Sequence, residues 1–364
     1  MNSSVNNKRR GLVIIAVLWT VVVLMAIVAV LGRRTRLDMK VCMSRMDAVR
    51  CKWACRAGVE KAVAVLNTDE TENDTLLDVW SDNDEDFNDV LLDRCVLQIK
   101  VIDEASKLDI NAATKEQLMG LPYMLEEIAD AIIDWRDTDD MPSGLGVESG
   151  YYEALDFVYR ARNGPFRTIR ELLMVKDVTE ELFYGEDTNL NGLLDYNERD
   201  GDETPPADDG DDELDLGWIA YLTCYTSQSA TGQSGQNQNS QNNNAQASVR
   251  VNVNTASEQV LAALLGGWED ENAVRTALDI INFRESSENG IESPSDLTDY
   301  GVMTSTDFAK IESYITVSSD IFTVICVAAA NRNGTPGAQV RTEVVLNRSS
   351  RPYEVLFSYE GASN

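Results

Sequence analysis

KRRGLVIIAVLWTVVVLMAIVAVL, residues 8–31, is the stretch that decides how this chain is built. Lys8, Arg9 and Arg10 precede Gly11, and residues 12–31 then run on without a charge. A helix of about 20 apolar residues is long enough to cross a bilayer. Arg33, Arg34 and Arg36 close the run on its far side, and no other run in the 364-residue chain comes near that length. The rest of the chain is acidic and hangs from this one apolar helix.

Three readings of such a start compete. The first is a plain single-span anchor. The second is a removable secretory signal, which fits poorly: the apolar run is too long, and Val30, Leu31 and Gly32 do not supply small residues at the right places. The third is a prepilin-like leader, a short basic stretch ending in Gly11. It is cut before Leu12 on the cytoplasmic side, and the apolar helix stays in the mature chain.

Composition narrows the function. The length suits two or three domains. The formal net charge is −30 and the isoelectric point lies near 4.2, so phosphate backbones and anionic headgroups are repelled. The chain has no histidine, which removes the commonest general base and transition-metal ligand. It also lacks the phosphate-loop, dinucleotide and nucleophile-elbow motifs. We therefore expect no enzyme. Six cysteines stand at 42, 51, 55, 95, 224 and 326. An exported, membrane-tethered chain meets oxidising conditions, but six cysteines allow fifteen connectivities and the spacing selects none. Each could equally pack as a small apolar thiol.

Past Gly32 the anchor helix is expected to continue to about Leu66, since no proline interrupts it. Cys42, Met46, Val49, Trp53 and Ala57 recur at helical spacing and suggest the stripe that meets a soluble domain. Asp82, Asp84, Glu85 and Asp86 read as a solvated loop, and residues 95–102 as a strand. A repeat follows: LDINAAT at 108–114 returns as VNVNTAS at 251–257. Thr114 and Ser257 are N-cap candidates, and only Thr114, with Gln117, completes a capping box. Two helical stretches follow each copy, the second ending near Arg136 or Arg284, which implies two helix–hairpin–helix units. Residues 227–247 are Gln, Asn, Ser and Gly and read as a flexible linker. Residues 322–330 and 340–346 make a hairpin with a loop longer than two residues.

These elements predict an α+β chain in five parts: a leader (1–11), a transmembrane half-helix (12–32), and the soluble half with the first strands (33–107). A mainly helical insertion (108–318) and the last strands (319–364) follow. The architecture is a long N-terminal helix packed on an antiparallel sheet, with the helical domain inserted into one connection.

Residues 187–198, DTNLNGLLDYNE, fit the twelve-residue calcium loop without a mismatch. Asp187, Asn189 and Asn191 supply oxygens at the first, third and fifth places, and Gly192 allows the turn. Leu193 offers its carbonyl, Asp195 a direct or water-borne ligand, and Glu198 two oxygens. Hard oxygen donors in this number suit Ca²⁺. No helix follows Glu198, so the site is read as structural and weak. A second acid group, Asp134, Asp137 and Asp139 with Glu148, either holds an ion or caps the loop leaving its helix, with the second use slightly favoured.

The repeats also suggest a competing function, a membrane-anchored helix–hairpin–helix receptor in DNA uptake. The first hairpin, LPYMLEE at 121–127, lacks the glycines whose amides would meet phosphate and carries two acids. The second, GGWEDE at 266–271, is more acidic still. No nucleic-acid partner is expected.

Taken in order, these segments resemble the type II secretion pseudopilin K family (general secretion pathway protein K). The resemblance rests on Arg10-Gly11-Leu12 with the apolar helix, on residues 108–113, and on 134–139 with Gly146-Val147-Glu148. It also rests on Arg170-Glu171-Leu172 and on 251–256. The first mature residue departs from the pattern, being Leu12 where Phe or Met is usual, as does the Gln/Asn linker. The resemblance implies a minor pseudopilin at the tip of a periplasmic pseudopilus, held by a single span in the inner membrane. It implies calcium in the insertion, other minor pseudopilins as partners, and a prepilin peptidase that cuts between Gly11 and Leu12 and leaves a methylated amine. Pilin subunits generally carry a Glu where this chain has Ala16. A subunit with nothing above it needs no such carboxylate.

Overall fold

A computed structural model of the protein describes residues 6–69, 72–81, 83–188, 190, 198, 214–226, 249–332 and 335–362. Helix α1 (Asn6–Thr68) is unbroken for 63 residues. Its apolar part has a mean hydropathy of 3.1 over its best 18-residue window, and none of the described residues covers it. The second half packs on a five-stranded antiparallel sheet of order β1 (Val90–Leu92), β2 (Cys95–Asp103), β7 (Ile321–Arg332), β8 (Thr335–Asn347) and β9 (Glu354–Ala362).

The face of α1 that meets the sheet is not the expected one. Met46, Val49 and Trp53 are about half exposed or more, and Cys42 and Ala57 are exposed. The buried positions are instead Cys51, Ala54, Cys55, Gly58, Ala62 and Leu66. Their small side chains bring the helix backbone down onto the strands. A Cβ at Gly58 would stand 2.6 Å from the Cys326 Sγ. Close approach thus selected small residues, and counting bulky apolar ones picked the opposite face. At the end of α1, Leu66 is buried in the same core as Trp80, which meets Phe322 edge-on with ring centres 5.1 Å apart.

Two smaller expectations also change. Residues 84–87 form a helical turn, α2 (Asp84–Phe87), capped by the Asn83 side chain on the Asp86 amide, because Phe87 is buried and anchors it. The β7–β8 hairpin is tighter than expected, since Arg332 pairs with Thr335 and two residues remain between the strands.

Strands β2 and β7 are adjacent, yet residues 104–320 lie between them in sequence. That segment builds a second core of its own. The repeat is a structural one. β3 (Leu108–Asp109) pairs in parallel with β4 (Leu222–Thr223), and β5 (Val251–Asn252) pairs in parallel with β6 (Ile315–Thr316). In the first unit α3 (Lys115–Met119) and α4 (Glu126–Arg136) follow, and Thr114 and Gln117 form the expected capping box. In the second, helices Glu258–Leu265 and Glu271–Ser286 follow, and Ser257 caps through the Val260 amide.

Equivalent side chains hold the two units. The Asn111 carboxamide accepts from the Phe166 amide at 2.7 Å and donates to its carbonyl. Asn254 does the same with Ile291, at 2.8 and 2.9 Å. Arg136 donates to the carbonyls of Ile110 and Ala113. Arg284 donates to those of Val253 and Ala256, at 3.0 and 2.7 Å. A planar guanidinium satisfies two backbone acceptors at once, which explains an arginine at the end of each second helix. The units meet where Gly120 lies against Ala263 and the Trp268 amide donates to the Gly120 carbonyl.

A buried polar knot joins insertion to sheet. Asp103 Oδ2 accepts from Asn252, Thr255 and Ser319 at 3.0, 2.6 and 2.6 Å. Asp74 is gripped by the Arg348 guanidinium through both oxygens at 2.6 Å and accepts the Ser319 amide at 2.7 Å. Burial pushes the Asp103 carboxyl upward, and lifts that of Asp74 to about 7 despite the pull of Arg348.

Candidate functional site

The last turn of α4 carries Asp134, fully buried. The chain then loops out and returns as residues 143–148. The Ser143 amide donates to Asp134 Oδ1 at 2.9 Å, and the Leu145 amide to Asp130 Oδ2 at 2.8 Å. Asp130 is neutralised by Lys115, 2.6 Å away. Gly146 is required at its place, since a Cβ there would lie 2.1 Å from Asp134 Oδ2. This wrapping delivers Glu148, buried, to Asp134.

Asp134, Asp137 and Glu148 each bring one oxygen into a group whose members all lie within 4.8 Å of one another. Asp134 Oδ2 and both carboxylate oxygens of Glu148 are buried without a hydrogen-bond donor among the described residues. Burial first, then the neighbouring Asp134 and Asp137, push the Glu148 carboxyl up to about 7; burial raises Asp134 too. Buried carboxylates without donors repel one another unless a proton or cation lies between them. The donor set is all hard oxygen and fits Ca²⁺. Asp139 stands apart: it is exposed, and its carboxylate accepts the Met141 amide at 2.9 Å.

The loop 187–198 is described at Asp187, Thr188, Leu190 and Glu198; Asn189, Asn191, Leu193 and Asp195 lie outside the described residues. Asp187 and Glu198, its first and last places, are both buried. They are drawn together, for Thr188 donates to Glu198 Oε1 through its amide and its hydroxyl, each at 3.2 Å. The neck is clamped by the Glu186 amide on the Asp215 carbonyl and the Asp215 amide on Glu186 Oε2, both 2.9 Å. Leu190 turns through a left-handed backbone with φ of 57°, and its carbonyl accepts from Arg341. The linker at 227–247 lies outside the described residues, and Gly11 and Leu12 fall within α1.

The hairpins of the two units turn their amides inward. Those of Gly266 and Gly267 donate to the Ala262 carbonyl at 3.1 and 2.8 Å, and that of Trp268 to Gly120. In the first hairpin the Leu121 amide donates to Leu118 and that of Met124 to Leu121. None of these amides points to solvent for a phosphate. Sequence reasoning found Asp134 and Glu148 but missed Asp130, Ser143 and Gly146, which shape the cradle. A glycine pair (Gly144 and Gly146) between two acids was the available signal.

A long apolar helix laid on an antiparallel sheet, with a two-unit helical insertion, defines a pilin-like α+β fold. A chain of the GspK-GspI-GspJ complex from the type 2 secretion system of enterotoxigenic Escherichia coli shares this fold. The TM-score is 0.58 and the identity 15%, over 88% of this chain and 99% of that one. Residues 109–184, which hold the first repeat unit and the acid cradle, match the family described as type II secretion system (T2SS), protein K. No curated protein sequence matches significantly.

Proposed function

We propose that this chain is a minor pseudopilin that caps the tip of the type II secretion pseudopilus, with its head in the periplasm. The observation that carries the reading is the uncovered face of α1. Met46, Val49 and Trp53 share one side of the helix and stay exposed well beyond the membrane-length run, while the opposite side, through Cys51, Cys55 and Leu66, is buried on the sheet. A contiguous apolar face of this kind marks a surface made for a partner. Helices of other minor pseudopilins are the partners that match it, and the solved complex named above places its members together. Ala16 supports the tip position, because a lipid-buried carboxylate is costly unless a neighbour neutralises it.

The chain does no catalysis in this reading. Its head binds, and its N-terminus is a substrate: a prepilin peptidase cuts between Gly11 and Leu12, and the new amine is methylated. The helix then moves from the inner membrane into the fibre. Calcium is structural. Asp134, Asp137 and Glu148 hold one ion, and the 187–198 loop, closed by Asp187 and Glu198, holds another. An ion between buried carboxylates replaces their repulsion with attraction and fixes the loops leaving α4 and the helix Glu180–Tyr184. Sequencing the mature N-terminus tests the reading. Leu12 as first residue supports it, and a retained Met1 in working chains overturns it.

A further inference from the structure

We propose that the mature chain carries two disulfides, Cys51–Cys95 and Cys55–Cys326, which staple α1 to β2 and to β7. All six cysteines are thiols in the structure. Four of them meet in the core between helix and sheet, where none is more than 1% exposed. The Cys51 and Cys95 sulfurs are 3.6 Å apart. The Cys55 and Cys326 thiols share a hydrogen bond, and Cys55 also donates to the carbonyls of Cys326 and Val340, each at 3.3 Å. Each pair joins the helix to a strand, with side chains facing across the interface, as a disulfide requires.

A zinc site is the competing use of four cysteines, and it needs four sulfurs around one point. Among the described residues, the groups of three or more candidate ligands within 4.8 Å of one another are carboxylate clusters. The sulfurs therefore meet in twos. Cys42 lies exposed on α1 and Cys224 belongs to the other core.

The chemistry is thiol–disulfide exchange with an oxidised dithiol or glutathione disulfide. A cysteine thiolate attacks one donor sulfur and expels a thiol. The second cysteine then attacks the mixed disulfide and expels the other. Each cysteine pair loses two protons and two electrons, and the donor disulfide becomes two thiols. Burial pushes the Cys51 thiol up to about 12 and raises that of Cys95, so exchange precedes the docking of α1. The finished bonds carry a pull on the helix into the two strands covalently. The proposal rests on the exported-head reading, because reducing compartments keep such thiols apart.

The test uses the full chain taken from membranes, with its thiols alkylated in denaturant at lysis so that buried thiols also react, followed by peptide mapping. Cys42 and Cys224 alone are expected to be alkylated, with cross-linked peptides joining 51 to 95 and 55 to 326. A second arm unfolds and reduces the purified full chain, then refolds it in detergent with oxidised glutathione, and the same pairs are expected. Cys95→Ala frees Cys51 alone and leaves the other bond, a readout that holds even if one staple is needed for full stability. Refolded chain that pairs Cys51 with Cys55, or pairs at random, overturns the assignment whatever the compartment. Correct pairs on refolding with six free thiols in cells overturn the claim for the mature chain, and with it the exported head.

Discussion

Glu148→Gln separates a cation cradle from a loop cap. At pH 8, where Glu148 with its carboxyl raised to about 7 is mostly ionised, the change keeps the shape and removes one of three charges held within 4.8 Å. Two unit charges at that distance repel by about 3.5 kcal/mol at an effective dielectric of 20 and about 0.9 kcal/mol in water. The unfolded chain feels little of this. In chelator the variant is therefore expected to be more stable than wild type by on the order of 1–3 kcal/mol. Calcium reverses the order. For a dissociation constant of about 0.1–1 mM, 5 mM calcium stabilises the wild-type fold by about 1–2 kcal/mol. At about 2–4 °C per kcal/mol for a domain of this size, that is a Tm rise of about 2–8 °C, and the variant should show little of it. The assay is scanning calorimetry of the full chain in detergent, in chelator and in calcium. An Asp187→Ala background silences the second loop. If Glu148→Gln lowers Tm in chelator and keeps the calcium shift, the acids serve only the loop and the cradle reasoning is wrong.

Three further outcomes follow from the same geometry. Asp187→Ala removes the first ligand of the 187–198 loop, so titration calorimetry should lose one of two binding heats, and equal heats would end that assignment. Arg284→Ala leaves the carbonyls of Val253 and Ala256 buried without a donor. It should cost about 3–5 kcal/mol in urea unfolding, whereas a cost under about 1 kcal/mol would show the guanidinium to be idle. Asp74 gives a pH signature. Its carboxyl is raised to about 7 in the fold, so the folded chain binds its proton more tightly than the unfolded chain. That contribution is fully present below the ordinary carboxylate range and is lost as pH rises through 7. Asp74→Asn should therefore lose less stability than wild type between about pH 5 and pH 8, by on the order of 1–3 kcal/mol, and parallel curves would refute it.

Local chemistry was readable in the sequence. The cap at Thr114, the return of the Asn-x-Asn turn at 252–254 and the arginine closing each unit are set by neighbours within a few tens of residues, and their structural roles match. The long helix was equally plain, since no proline or charge interrupts its apolar run. What depends on two distant surfaces meeting was not readable. The face of α1 was misassigned because a sheet that comes close favours Ala54, Gly58 and Ala62 over Met46 and Trp53. The knot of Asp74, Asp103, Asn252, Ser319 and Arg348 draws on five separate segments. The cysteine pairs likewise span the chain, one by 44 positions and the other by 271. The cradle lay between these cases: its acids were visible, but the loop through Gly144 and Gly146 that turns Glu148 back onto Asp134 was not.

The central claim, that the bare face of α1 and the head exist to join fellow fibre subunits, is tested most directly by co-purification. The tagged full chain is extracted from membranes holding the other minor pseudopilins, as wild type and as Val49→Asp with Trp53→Asp. Those two positions are exposed and lie opposite the sheet-packed face. The account predicts that wild type brings the other subunits down in fixed proportion and that the doubly charged variant, equally folded, brings down markedly less. Wild type that returns alone, or a variant that binds as well as wild type, would contradict it.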